Sequence, residues 1–305
     1  MPKKYNIVFI AGANYSADIH GNAKQGSNLG WNYTSFWKYN LEHHPQVNLT
    51  HWYPMSSWRN MPTDNVDLYF FFDFRPDLWA LADYDKFHPR ILYWGDAFHA
   101  LYSVVAQIPL VFDKVYLSEF VEAQHLKLCG FNNVEWLPGA FCPHHHFPLN
   151  VNKDIDVGFV GQLDNTVVRN KTTRRRMMDH LSTKFKVVVN QNIRGPGVNV
   201  LFNQSKILIE RTIFCNMGSR LFDTVGGGGF GLVNKYPCYN GLDQLGMDGT
   251  HFVTYDESVE DAEHKVQYYL THDAEREHIA KTGHEYFLKH HTYANRIDKI
   301  LSDLR

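Results

Sequence analysis

The sequence predicts an α/β protein made of two Rossmann-like halves followed by a helical tail. Three observations carry this. Short apolar runs rich in Ile, Val and Phe alternate with longer helical patterns. The alternation breaks once, in a Pro-rich stretch near the middle, and then restarts. The last fifty residues carry helical periodicity without strands.

Taken in order, "YNIVFIAG" (5–12) reads as a buried strand by length and composition. "VNLTHWYP" (47–54), "VDLYFFFDF" (66–74), "RILYWGDAFH" (90–99) and "KVYLSE" (114–119) supply four more, with helical stretches at 31–43 and 119–129. Strand and helix in alternation argue for βαβ units, a parallel sheet and helices on both faces. The segment "PGAFCPHHHFPLNVNK" (138–153) holds three prolines and little periodicity, so it reads as a linker. The strand pattern resumes with "DIDVGFVG" (154–161), "KVVVNQ" (186–191), "SKILIER" (205–211), "GFGLVNK" (229–235) and "HFVTYD" (251–256). Helical stretches are "RRRMMDHLSTKF" and the short "RLFDTVG" (220–226). In the tail, Val259, Ala262, Val266 and Tyr269 share a face, with Ser258 and Asp261 as a capping-box-like start. Tyr293, Ile297, Ile300 and Leu304 share another. The expected division is 1–150, 151–285 and a final helical piece, 286–305.

Composition narrows the function classes. The 305 residues are 44% apolar and 20% charged, an ordinary globular balance. A net charge of −2 offers no global positive field for nucleic acid or an anionic membrane. No apolar run approaches the roughly 18 residues of a membrane span. "MPKKYNIVFIAG" reads as a first strand and not as a leader. Cys129, Cys142, Cys215 and Cys238 show no CxxC spacing, which suggests reduced thiols and a cytoplasmic setting. "AGANYSADIHG" lacks the G-x-G-x-x-G spacing of a dinucleotide fold, which argues against a nucleotide-binding oxidoreductase.

The stretch "NMGSRLFDTVGGGGFGLVN" (216–234) is similar to the N-x-R-x-F-E-x-x-x-x-G-x-x-x-L pattern of the CgeB-like (spore-maturation protein) glycosyltransferases, relatives of the family 4 enzymes. The tail, with "HFVTYD", "YYLTHDAEREHIAKTG" and "HTYANR", resembles the same family. The resemblance spans roughly 154–301; the first half matches only in strand–helix order. It implies the GT-B architecture: two Rossmann-like domains with a cleft between them. It also implies transfer of a sugar from a nucleotide-diphosphate donor, a UDP-sugar foremost, to an acceptor hydroxyl. Retention of configuration and no bound metal or other cofactor are further expectations of the resemblance. A hydroxymethylated DNA base as acceptor, and a non-catalytic nucleotide-sugar-binding relative, stay open beside it. So do glycan, lipid-linked and small-molecule acceptors.

The same resemblance assigns roles. Gly226, Gly227 and Gly228 would let backbone approach the donor diphosphate, against the simpler reading of a tight helix-to-strand turn. Asp223 stands where the family has the glutamate that accepts ribose hydroxyls; it is one methylene shorter. The companion glutamate position falls on Cys215, with Glu210 as a substitute. Arg220 and Asn216 match the N-x-x-x-R spacing, and an arginine there would hold the diphosphate. After the strand ending at Gly161, Arg169 and Lys171 would grip the same group. Arg174, Arg175 and Arg176 follow on a helix, about 100° apart each, and cannot all face one ligand. In the first half, Asp96 and His99 follow a strand and are the acceptor-side catalytic candidates, with helix capping as the alternative for Asp96. Gly12, Asn14 and His20 lie in the loop after the first strand and are expected to face the cleft. "PHHHF" (143–147) reads as linker, since alternating side chains cannot all reach one ion. "DID" (154–156) precedes a strand, so its likeness to a metal-binding DxD is read as coincidence.

Overall fold

The computed structural model describes residues 4–11, 33–73, 86–95, 105–163, 171–193, 195–212, 217–236 and 239–304. The chain forms two compact units. Unit 1 is Met1–Pro138 with Arg296–Arg305, and unit 2 is Gly139–Asn295. The boundaries differ from those expected at 150/151 and 285/286, because 139–150 and 286–295 pack within unit 2.

Unit 1 is built on a parallel sheet of six strands in the order β2-β1-β3-β4-β5-β6. They are β1 (Tyr5–Ala11), β2 (Val47–Pro54), β3 (Leu68–Phe72), β4 (Arg90–Trp94), β5 (Lys114–Leu117) and β6 (Val134–Trp136). Helix α1 (Tyr33–His43) precedes β2, and α2 (Phe120–Leu128) joins β5 to β6. "LYFFF" of β3 and "RILYW" of β4 are buried at every position. A parallel strand covered on both faces cannot alternate apolar with polar, which is why these runs are continuous. On one face Trp37 of α1 meets Phe70 edge-on at 5.0 Å. On the other, Phe71 meets Phe112 at 5.3 Å.

The chain's last helix, α9 (Tyr293–Asp303), completes unit 1 from residue 296 onward. Ile297, Ile300 and Leu301 are buried. Asp303 accepts from the Tyr116 hydroxyl at 2.6 Å, and Glu135 pairs with both Lys114 (2.6 Å) and Lys299 (2.8 Å).

Unit 2 carries a second parallel sheet, ordered β11-β10-β9-β7-β8. Its strands are β7 (Ile155–Val160), β8 (Val187–Asn190), β9 (Ser205–Glu210), β10 (Gly231–Asn234) and β11 (Val253–Tyr255). Between them run α3 (Lys171–Ser182), α4 (Pro196–Gln204), α5 (Ser219–Gly226) and the single turn α6 (Leu242–Leu245). Then come α7 (Val259–Thr271) and α8 (Asp273–His290). Ser258 caps α7 by accepting from the Asp261 N–H at 3.1 Å, while the Asp261 carboxylate takes the Asp256 N–H instead of closing the box. Strand β6 and helix α4 have no counterpart in the sequence reading. The first is only three residues long, and the second begins on a Gly-Pro-Gly run that reads as a turn.

Residues 139–150 are not a linker. Phe141 bridges Thr292, and the N–H groups of Phe147 and Leu149 donate to the side-chain oxygens of Asn199 (3.2 Å) and Asn203 (2.7 Å) on α4. Two asparagines satisfy backbone that has no ladder of its own, which lets an irregular segment be buried.

Both sheets share one topology. The first strand of each unit sits between the second and the third, so the direction of winding reverses at β1/β3 and again at β7/β9. In open α/β sheets such a reversal opens a crevice beyond the carboxyl ends of the two strands.

Candidate functional site

The crevice of unit 2 is lined where β7 and β9 end. After β7, Gly161 adopts φ +142° and donates its N–H to the Asn190 carbonyl at 3.0 Å. A Cβ at Gly161 would lie 2.3 Å from Nη1 of Arg220, so a glycine is required for the guanidinium to lie across the end of the strand. At the end of β9, Glu210 is 3% exposed and accepts from Arg220 Nε at 3.0 Å and Nη2 at 3.5 Å. Gly218, which opens α5, is held bare by the same carboxylate: its Cβ would meet Oε1 at 2.7 Å.

Two more arginines converge here. Arg174 of α3 is buried, donating from Nε to the Arg211 carbonyl (2.7 Å) and from Nη1 to the Gln162 carbonyl (3.2 Å). Its guanidinium and that of Arg220 lie 5.7 and 5.4 Å from the Phe159 ring. Burial, then the charge of Arg220, push Arg174 down to about 10, so it remains a cation at neutral pH. Arg211 donates to Thr173 Oγ1 (3.3 Å) and to the Glu257 carbonyl (3.1 Å). The frame is closed by Tyr255, whose hydroxyl donates to the Glu210 carbonyl (3.1 Å), and by Asn234, which accepts the Thr212 N–H (2.7 Å).

Asp223 lies one turn beyond Arg220 on α5. Its Oδ1 sits 3.2 Å from Nδ1 of His146, a residue of the 139–150 segment. Burial holds the Asp223 carboxyl well above the usual carboxylate range, and burial pushes the His146 imidazole down to about 3. Both are therefore favoured in their neutral forms. Three guanidiniums thus gather where β7 and β9 end, and among the described residues the carboxylate of Glu210 pairs with that of Arg220.

The glycine run behaves differently from the expectation. Gly226 ends α5, and the N–H groups of Gly227, Gly228 and Gly229 donate to the carbonyls of Asp223 (3.0 Å), Val225 (3.1 Å) and Thr224 (2.9 Å). Cβ atoms at Gly226 and Gly228 would strike the Phe141 ring (2.3 Å) and Pro148 (2.8 Å). Gly226, Gly227 and Gly228, expected as a diphosphate cradle, are placed here at the C-terminal end of α5. Their N–H groups close a helix C-terminus, where the dipole repels anions. The close approach that the glycines permit is made by the chain's own 141–148 segment.

Of the other residues singled out from the sequence, Gly12, Asn14, His20, Asp96, His99, Arg169 and Asn216 lie outside the described residues. Lys171 opens α3, and its side chain is likewise outside them. Asp154 pairs with Lys186 and Asp156 with Lys206, each at 2.8 Å. Among the described residues no cluster of His, Cys, Asp or Glu is arranged to hold a metal ion.

Arg211 was not singled out from the sequence; Arg174 entered only as one of the triplet 174–176, and His146 only within the "PHHHF" stretch read as linker. A signal existed for Arg174: it shares the apolar helix face of Met177, Met178 and Leu181, at i+3, i+4 and i+7. A cation on a buried stripe marks a paired or functional charge. Arg211 and His146 sit in irregular segments whose packing no periodicity reports.

Comparison with known proteins follows from this geometry. Residues 151–302 match the family model described as glycosyl transferase-like. Among solved structures, sucrose-phosphate synthase from Thermosynechococcus elongatus superposes with a TM-score of 0.66 at 10% identity, covering 98% of this chain and 99% of that one. HepE from Anabaena, solved in complex with UDP-glucose, gives 0.62 at 10% identity, with 98% and 99% covered. A DNA-modifying β-glucosyltransferase, solved with and without uridine diphosphoglucose, gives 0.57 at 11% identity, again with 98% and 99% covered. At such identities the likeness is one of fold, and the fold is GT-B. Comparison with curated proteins gives no match. Fold and family match together make this chain a glycosyltransferase of the GT-B class.

Proposed function

We propose that the chain transfers a sugar from a nucleoside-diphosphate donor, a UDP-sugar, to an acceptor hydroxyl, within the CgeB-like group and in a cytoplasmic setting. The observation that carries this is the crevice at the β7/β9 reversal, where the guanidiniums of Arg174, Arg211 and Arg220 gather and Glu210 pairs with Arg220. In this reading Arg220 and Arg174 hold the diphosphate, with Arg169, Lys171 and Asn216 beside them. Fixed guanidiniums in a dry site stabilise the charge that develops on the leaving diphosphate. They supply the positive charge that a metal ion would otherwise bring, which supports metal independence. The bond from the anomeric carbon to the phosphate oxygen breaks, and a bond to the acceptor oxygen forms. The acceptor proton passes to the departing phosphate on the same face, which yields retention. Asp223 meets a ribose hydroxyl through the small part of its carboxyl left accessible. Asp96 and His99, with Gly12, Asn14 and His20, serve the acceptor. HepE bound to UDP-glucose supports UDP as the nucleotide.

Thermal unfolding with UDP, GDP, ADP, CMP and NAD tests the reading. A ligand at about 100 times its Kd adds roughly 2.7 kcal/mol. The expected result is a shift with UDP that vanishes in Arg220→Ala and persists in Arg176→Ala, an exposed position on the same α3 as Arg174. A shift with NAD alone, or none across the panel, overturns it.

A further inference from the structure

Unit 2 holds a second concavity that none of the three arginines lines. It is a cavity of about 720 Å³ at the carboxyl end of β10, bounded by α6, edge strand β11 and α8. That volume falls in the range of roughly 300–1,000 Å³ typical of small-molecule sites. Three tyrosines line it: Tyr236, Tyr239 and Tyr286. Tyr286 is stacked on His251, ring centroids 4.1 Å apart and planes 12° from parallel, so the two rings brace each other as a flat wall. Tyr236 is fixed through its hydroxyl, which donates to the Thr212 carbonyl at 2.8 Å. Tyr239 is more than half exposed at the rim, with its hydroxyl taking a hydrogen bond from Gln244 at 2.7 Å.

The polar groups set the ligand's charge. The lining includes one lysine, Lys235, and two aspartates, Asp243 and Asp248, and burial with the nearby His290 holds His251 below the usual imidazole range. The cavity is therefore slightly anionic and unsuited to a second diphosphate. Asp248 is committed to the N–H and hydroxyl of Thr254. Asp243 and Lys235 make no ion pair among the described residues. Asn240 is buried, and among the described residues its amide N–H₂ meets only the Met217 thioether, at 3.4 Å, a weak acceptor. A buried amide with donating capacity to spare costs free energy unless a ligand uses it.

We infer that this cavity is a saccharide-binding site, distinct from the diphosphate crevice, that takes a neutral sugar ring. Flat aromatic walls match the C–H faces of a pyranose. A carboxylate and an amide at the rim and floor match its vicinal hydroxyls, accepting through Asp243 and donating through Asn240. The site needs no particular reaction at the crevice.

Saturation-transfer NMR on the full chain tests it, with glucose, N-acetylglucosamine and their β1,4-linked disaccharides as probes. The expected result is transfer to at least one probe that excess UDP leaves in place. In Tyr239→Ala and Asp243→Ala, both at exposed positions outside the core, affinity should fall about tenfold, the loss of one aromatic or charge-assisted contact. Each variant's thermal midpoint confirms that it is folded. No transfer to any probe, affinity unchanged in both folded variants, or displacement by UDP overturns the assignment. A chain that fails to bind UDP but keeps the saccharide signal separates this site from the donor reading.

Discussion

Asp223 is 7% exposed, and its pKa is shifted in the opposite sense to that of its neighbour His146. Its folded pKa is raised, so its contribution to stability is complete below the ordinary value of 3.8 and is lost as pH rises through the folded value. His146 is lowered from 6.5 to about 3, so its contribution is present above 6.5 and is lost as pH falls towards 3. Asp223→Asn removes only the first. The variant is expected to be more stable than the parent at neutral pH, on the order of 1–3 kcal/mol, because no carboxylate need be ionised or held protonated in a dry site. Urea unfolding from pH 4 to 8 checks this: the advantage should shrink towards the acid end, and a variant less stable at every pH counts against it. The pairing itself was not legible in the sequence. His146 and Asp223 are 77 positions apart, and nothing in "PHHHF" says that its third histidine is buried against α5. Arg220 was legible through motif spacing. Glu210 entered only as a substitute, since a carboxylate ending an apolar strand reads equally as solvated.

Helix α5 and the glycines after it show what a glycine run can mean at the level of an element. Four glycines in sequence allow close approach without saying by what. Here the approaching partners are Phe141 and Pro148, reached across the fold from a segment read as a linker. Gly226→Ala places a methyl 2.3 to 2.6 Å from three atoms of the Phe141 ring. The cost expected is about 1–3 kcal/mol of overpacking, read as a lowered thermal midpoint, while UDP affinity of the folded variant stays unchanged. Loss of UDP binding without loss of stability would return the run to the donor site. The strands themselves were readable because parallel strands buried on two faces write continuous apolar runs such as "LYFFF" and "GFGLV". Strand β6 and helix α4 were not, being respectively too short and too rich in glycine and proline at its start to show a period.

At the level of the whole chain, both units repeat one winding plan, and unit 1 is completed by residues from both ends of the sequence. A chain ending at residue 295 loses three buried aliphatic residues of α9 and the Lys299 and Asp303 partners of Glu135 and Tyr116. Calorimetry of that truncation is expected to show the transition of unit 1 lowered or absent, with that of unit 2 retained. A single unchanged transition would contradict the division. The discontinuity also sets an order of events during synthesis. Unit 2 is continuous in sequence, and its two ends are tied by the Phe141–Thr292 bridge, so all of its parts exist once residue 295 has been made. Unit 1 is interrupted by unit 2: its six strands are made before unit 2, and the helix that completes it only afterwards. On the ribosome the earlier-made half is thus the later one to mature, and its apolar sheet face is the part of the nascent chain with the longest need of protection.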